Sequence, residues 1–233
     1  MASRFPGFPP EALRFLRALA RNNEREWFQP RKEQYEQQVK APMIALVAEL
    51  NAELAKYAPD YVTDPKKAIF RIYRDTRFSA DKTPYKTNIS AVFHKRGQPG
   101  GGFYFSVSAK EVEIAGGIYH PDRDVTLALR QHIAEHHQEL RRLLADRKTS
   151  KLCGELRGDE LSRAPKGFDP CHPAIDLIRK KDWIFDTTLN PSIATTPELW
   201  QEITSRFRAM HPALEFLNRP LAGRKPKHFE AAF

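Results

Sequence analysis

Apolar residues recur at helical spacing through the first sixty positions. Pro9-Pro10 opens a short helix that carries Leu13, Leu16 and Leu19. Asn23, with Glu26 three residues later, has the form of a capping box with Asn in place of Ser or Thr. It predicts a second helix whose apolar face includes Trp27, Phe28 and Tyr35. Pro42 suits the first turn of a third helix, on which Ile44, Leu46, Val47, Leu50, Leu54 and Tyr57 fall in phase, and Pro59 closes it.

From residue 68 to 119 the period shortens to two. Residues 68–74, 89–94, 103–108 and 111–118 read as strands, with a flexible turn at Gly97, Pro99 and Gly100-Gly101-Gly102 and a tight one at Ala109-Lys110. Such short connections predict an antiparallel meander. Asp122 then caps a long helix containing Val125, Leu129, Ile133, Leu140 and Leu143. Residues 165–173 form a rigid, proline-rich loop, a short helix follows near 174–180, and residues 183–185 suggest a short fifth strand. Thr196-Pro197 opens a last helix with Ile203, Phe207, Met210, Leu214 and Leu217 in phase. The expectation is an α+β fold: a central antiparallel sheet of four to five strands flanked by N-terminal and C-terminal helices. It forms a single domain over residues 1–221, with a loose tail at 222–233.

Composition narrows the setting. The 41% hydrophobic fraction, with fifteen Phe, supports a sizeable core. No apolar run approaches the roughly 20 residues of a membrane helix, so no membrane partner is expected. The N-terminus lacks the apolar segment of a secretory signal, and two cysteines are too few for a disulfide framework. A reducing cytoplasm is the expected compartment. Oligomeric state is not legible.

Charge changes the picture more. The chain carries a net +9, and residues 61–110 hold ten Lys/Arg against three Asp/Glu. The rest of the chain is nearly balanced. Within the excess lies the run from Lys67 to Asn88, where Arg71, Arg74, Arg77, Lys82 and Lys86 interleave with Tyr73, Thr76 and Tyr85. Guanidinium forks match carboxylate and phosphate geometry, lysine adds a point charge, and Thr hydroxyls bridge to anion oxygens. Asp75 and Asp81 are placed to orient the arginines. The competing arrangement is a self-contained salt-bridge cluster or a merely solvated basic face. The candidate ligand residues are Arg71, Tyr73, Arg74, Asp75, Thr76, Arg77, Lys82, Tyr85 and Lys86, with Lys166 of the proline-rich loop added. Asp75 or Tyr85 is the nearest group for proton transfer.

Several runs resemble a known family: Asn23-Glu24-Arg25-Glu26-Trp27-Phe28, Arg71 to Ser79, Asp81 to Asn88, Gly102-Phe103-Tyr104-Phe105 and Pro165-Lys166-Gly167-Phe168-Asp169. They are similar to the mainly bacterial domain of unknown function 2461 family, from about Phe5 to about Leu217. That resemblance implies no particular reaction, cofactor or catalytic residue. One departure is Cys171, which stands where the pattern leads one to expect an acidic residue before His172-Pro173.

No cofactor motif and no metal site is readable. Cys153, Cys171 and His172 match no standard zinc spacing, and Gly100-Gly101-Gly102 lacks the strand–loop–helix context of a phosphate loop. The first expectation is a basic cleft for an anionic small molecule bearing phosphate or carboxylate. The alternatives are a nucleic-acid-binding strand-loop over 67–88 and a scaffold for an acidic protein. No reaction is named by the residues.

Overall fold

The structure, a computed structural model, describes residues 5–77 and 79–225. The expected loose tail falls mostly beyond them. The chain opens with helix α1 (Pro10–Arg21), then short turns α2 (Arg25–Phe28) and α3 (Lys32–Tyr35) that lead into α4 (Ala41–Leu54). A single turn, α5 (Pro65–Ala68), precedes strands β1 (Asn88–His94), β2 (Gly102–Ser108) and β3 (Val112–Ile118). Helices α6 (Arg123–Leu144), α7 (Arg147–Cys153) and α8 (Ile175–Ile178) follow, then β4 (Trp183–Leu189) and the final helix α9 (Glu198–Asn218). No helix among the described residues is long and apolar enough to cross a membrane.

The four strands form one sheet in the order β1-β2-β3-β4, every neighbour antiparallel. Alternation divides their side chains between two faces. Ile89, Ala91, Phe93, Phe103, Phe105, Val107, Val112, Ile114, Trp183 and Phe185 are buried and form the inner face. Helix α9 packs there: Phe207 stacks on Phe103 at 4.7 Å between ring centroids. Gly116 leaves room for Met210, whose sulfur would lie 2.8 Å from an added Cβ. Burying large apolar side chains on one face only is what makes an antiparallel sheet alternate so cleanly.

Helix starts follow local chemistry. Asp122 accepts a hydrogen bond from the Val125 amide, and Asp146 accepts from the amides of Lys148 and Thr149. Asn23 behaves otherwise. No side chain caps α2, whose N-cap position is Glu24. The Asn23 amide instead donates to the Tyr85 carbonyl at 2.9 Å and accepts from the Tyr85 amide at 3.0 Å. Those two bonds satisfy both backbone groups of a buried residue, a larger gain than one helix cap.

Residues 68–74 also depart from the expected strand. Asp64 caps α5 and draws Ala68 into its turn. Beyond it the chain only touches the edge of β1, through an Ile69–Ala91 bridge and a Phe70 amide bond to the Ser90 carbonyl. A second isolated bridge joins Tyr73 to Tyr85, flanked by Arg74 N–H to Pro84 O and Lys86 N–H to Ile72 O. Pro84 has no amide to donate, so the ladder cannot continue. In contrast, the strand expected at residues 183–185 is a full seven residues and closes the sheet.

Candidate functional site

The basic run forms an irregular hairpin along the outer edge of β1. Tyr85 anchors it. This residue is 1% exposed, its ring 4.2 Å from Phe28 and 5.5 Å from Tyr73 between centroids. Tyr85 is therefore part of the core, and Tyr73 is the exposed ring of the pair, at 44%. The alternation expected here survives in part: Ile72 is buried, whereas Arg71 and Tyr73 face outward.

The loop acids occupy some of the cations. Arg77 donates to Asp75 through Nε and a terminal nitrogen, the latter at 2.7 Å. Those bonds lower the Asp75 carboxyl to about 2, which makes it a poor general base near neutrality. Arg74 pairs with Asp81 and with the Thr83 hydroxyl. Asp81 is likewise lowered to about 2, first by the Thr83 amide and then by Arg74. Lys82 donates to the Thr76 carbonyl at 2.9 Å, which closes the loop on itself.

Two cations are left over. The side chains of Arg71 and Lys86 make no ion pair and no hydrogen bond among the described residues. The Lys86 ammonium sits 4.7 Å from the centroid of the Phe70 ring. Burial lowers its pKa, and the charges of Arg71 and Arg74 lower it further. The structure thus brings Arg71 and Arg74 each within electrostatic reach of Lys86. It does not bring Lys166 to them. That residue is exposed in the proline-rich loop, which packs against α6 through Arg141 to the Pro173 carbonyl and lies on the β4 side.

The second face of the sheet adds residues beyond those expected from the sequence. Register aligns Ser90, Ser106, Glu113 and Thr188 in one row, and Val92, Tyr104, Ala115 and Asp186 in the next. Ser90 and Ser106 lie beneath Tyr104 at 3% and 4% exposure, and with Asn88 they are within polar reach of its hydroxyl. The Ser106 hydroxyl donates to Glu113 at 3.4 Å. Burial raises the Glu113 carboxyl, and the neighbouring Asp186 charge raises it further. Asp186 is raised by burial too, against the opposing pull of Arg157 from the far edge of β4. Its Oδ1 is buried with no hydrogen-bond partner among the described residues.

Rings connect the two regions. Phe70, under the Lys86 ammonium, lies 6.3 Å from Tyr104 between centroids. The result is a polar, ring-lined face running from cations at the β1 edge to carboxylates on β3 and β4. A depression of about 200 Å³ opens at its α1 end, lined in part by Leu16, Ala20, Asn88, Ser106 and Glu113. A larger depression, about 580 Å³, lies between α6, α7 and α9. Most of its charges already have partners: Asp146 caps α7, Glu139 holds Arg219, and Arg208 holds Glu53. The signal for Glu113 and Asp186 was present in the sequence as acids inside strongly apolar strands. Only the register shows that they share a face.

No three His, Cys, Asp or Glu side chains gather closely enough to hold a metal ion among the described residues. Cys153 is buried, and burial pushes its thiol up to about 11, whereas Cys171 is exposed.

Fold and face together define an α+β protein whose sheet is covered by helices on its apolar side and polar on the other. The chain belongs to the family described as "Conserved hypothetical protein (DUF2461)", whose model matches residues 11–216. No curated protein and no solved structure matches the chain.

Proposed function

We propose that the chain binds an anionic small molecule, bearing phosphate or carboxylate, through Arg71, Arg74 and Lys86 at the β1 edge of the sheet. One observation carries the reading. Arg71 and Lys86 lack an ion-pair partner among the described residues, while Lys86 is half-buried within the fields of two guanidinium groups. A bound anion offsets that repulsion and favours the charged ammonium. Arg74, already positioned by Asp81 and Thr83, supplies a fixed fork. Arg77, Lys82, Asp75 and Thr76 hold the loop in shape rather than contact the ligand. The ligand is cytoplasmic on this reading, in keeping with two unpaired thiols.

Thermal unfolding with inorganic phosphate or citrate, against chloride at matched ionic strength, tests the proposal. The expected result is a rise in Tm for the wild type that Lys86→Met and Arg71→Gln each reduce by half or more. A wild type indifferent to millimolar phosphate and citrate overturns it.

A second reading, single-stranded nucleic acid, draws on the exposed ring of Tyr73 two residues from Arg71. Stacking on such a ring together with phosphate contacts gives binding that falls steeply with salt. A short oligonucleotide that binds at low salt and loses affinity on Tyr73→Ala supports it. Absence of binding at low salt dismisses it.

A further inference from the structure

The open face has a second pole that simple anion binding does not use. We propose that Glu113 and Asp186 receive the body of the ligand. They accept hydrogen bonds from the hydroxyls of a two-ring molecule whose single anionic group is held by Arg71 and Lys86. The inference rests on the anion reading above and names the ligand class for the same site: a nucleoside or disaccharide monophosphate.

Four observations meet here. The first is separation. Strands lie about 4.8 Å apart, so Glu113, two strands in from β1, is roughly 10 Å from that edge, and Asp186 roughly 14 Å. Two linked rings span that interval, whereas phosphate alone does not. The second is the floor between the poles. It is made of the Phe70 and Tyr104 rings, which offer apolar faces to a sugar or a base. Ser90, Ser106 and Asn88 add polar groups around the Tyr104 hydroxyl.

The third is the unmet acceptor. Asp186 Oδ1 is buried without a partner among the described residues, although Asp186 faces the same side as Tyr104. The carboxylate makes no hydrogen bond among the described residues, and a ligand hydroxyl that reaches its accessible oxygen supplies a donor. The fourth is charge segregation. Cations at one end and carboxylates at the other admit a ligand with one anionic terminus. They repel a chain of phosphates laid across the whole face. The depression at the α1 end, with Glu113 and Ser106 in its lining, gives one ring a recess.

Isothermal titration of the full chain with inorganic phosphate, adenosine 5′-monophosphate and trehalose 6-phosphate tests the inference. At least one two-ring phosphate should bind ten-fold or more tightly than inorganic phosphate. Asp186→Ala and Glu113→Gln should each remove most of that advantage and leave phosphate binding as it was. Lys86→Met should weaken all three probes. The preferred two-ring probe tells a nucleotide from a saccharide. If phosphate binds but neither two-ring probe binds more tightly, this inference fails and the anion site stands. It also fails if both carboxylate variants keep the full advantage. If no probe binds the wild type, both readings fall. Should Glu113→Gln not fold, Asp186→Ala carries the test alone.

Discussion

At the scale of single residues, the sheet's polar face sets two carboxyls against their own solvation. Burial raises Glu113 and Asp186 above the values that they have in the unfolded chain. A folded state that binds protons more tightly than the unfolded one loses stability as pH rises through that interval. Above it the full penalty applies, and below the unfolded values there is none. Glu113→Gln or Asp186→Asn should therefore raise Tm at pH 7, by on the order of 2 °C. The gain should vanish near pH 3. Scanning calorimetry at the two pH values checks this, and an equal gain at both would show that charge is not the cause. The sequence shows both as acids inside apolar strands, but not what they meet. An acid in an apolar strand reads the same whether it meets water, a cation or another acid.

At the scale of elements, periodicity served well where a segment's surroundings come from its own neighbours. β2 and β3 form a hairpin closed by Ser108, whose hydroxyl accepts from the amides of Lys110 and Glu111. The alternation, the turn and the pairing all lie within seventeen residues. Helices α6 and α9 were equally legible because three-to-four spacing and a cap or proline at the start are local. Residues 68–74 were not. Their composition favours a strand, but Asp64 and Pro84 at either end decide how far pairing runs. Asn23 departs from its expected role for a related reason: its sequence neighbours suggest a cap, and its spatial neighbour is Tyr85. Asn23→Ala removes both bonds to that backbone and should cost about 2 kcal/mol in urea unfolding. The Tyr85 amide should exchange its hydrogen markedly faster. Unchanged exchange at Tyr85 would mean that the hairpin is held by ring packing alone.

At the scale of the whole molecule, a buried polar knot ties the last helix to the sheet. Asn218, 1% exposed, donates to Gly101 O and Tyr61 Oη and accepts from Gly101 N at 2.9 Å. Tyr61 in turn donates to Glu215 at 2.7 Å, and Lys95 donates to the same carboxylate at 2.6 Å. The backbone must come close for this. A Cβ on Gly101 would lie 2.2 Å from the Gly117 carbonyl oxygen, and one on Gly100 would lie 2.3 Å from Asn218 Oδ1. The glycine run between β1 and β2 is thus a packed joint as well as a turn. Asn218→Ala leaves several of these groups unsatisfied and should lower stability by about 3 kcal/mol, read as a lower urea midpoint with the slope unchanged. A loss below 1 kcal/mol would show that water replaces the amide.

The chain's order alone determined the alternation of its strands, the phase of its long helices and the concentration of positive charge between residues 61 and 110. Each depends on residues close together along the backbone, where spacing fixes direction. Tertiary structure decided which of those cations Asp75 and Asp81 already hold, and it left Arg71 and Lys86 without an ion pair among the described residues, with Lys86 over the Phe70 ring. It also decided that Ser90, Ser106, Glu113 and Asp186 share one face of the sheet. That alignment is a matter of register between strands far apart in the chain, and register comes from packing the opposite, apolar face against α9.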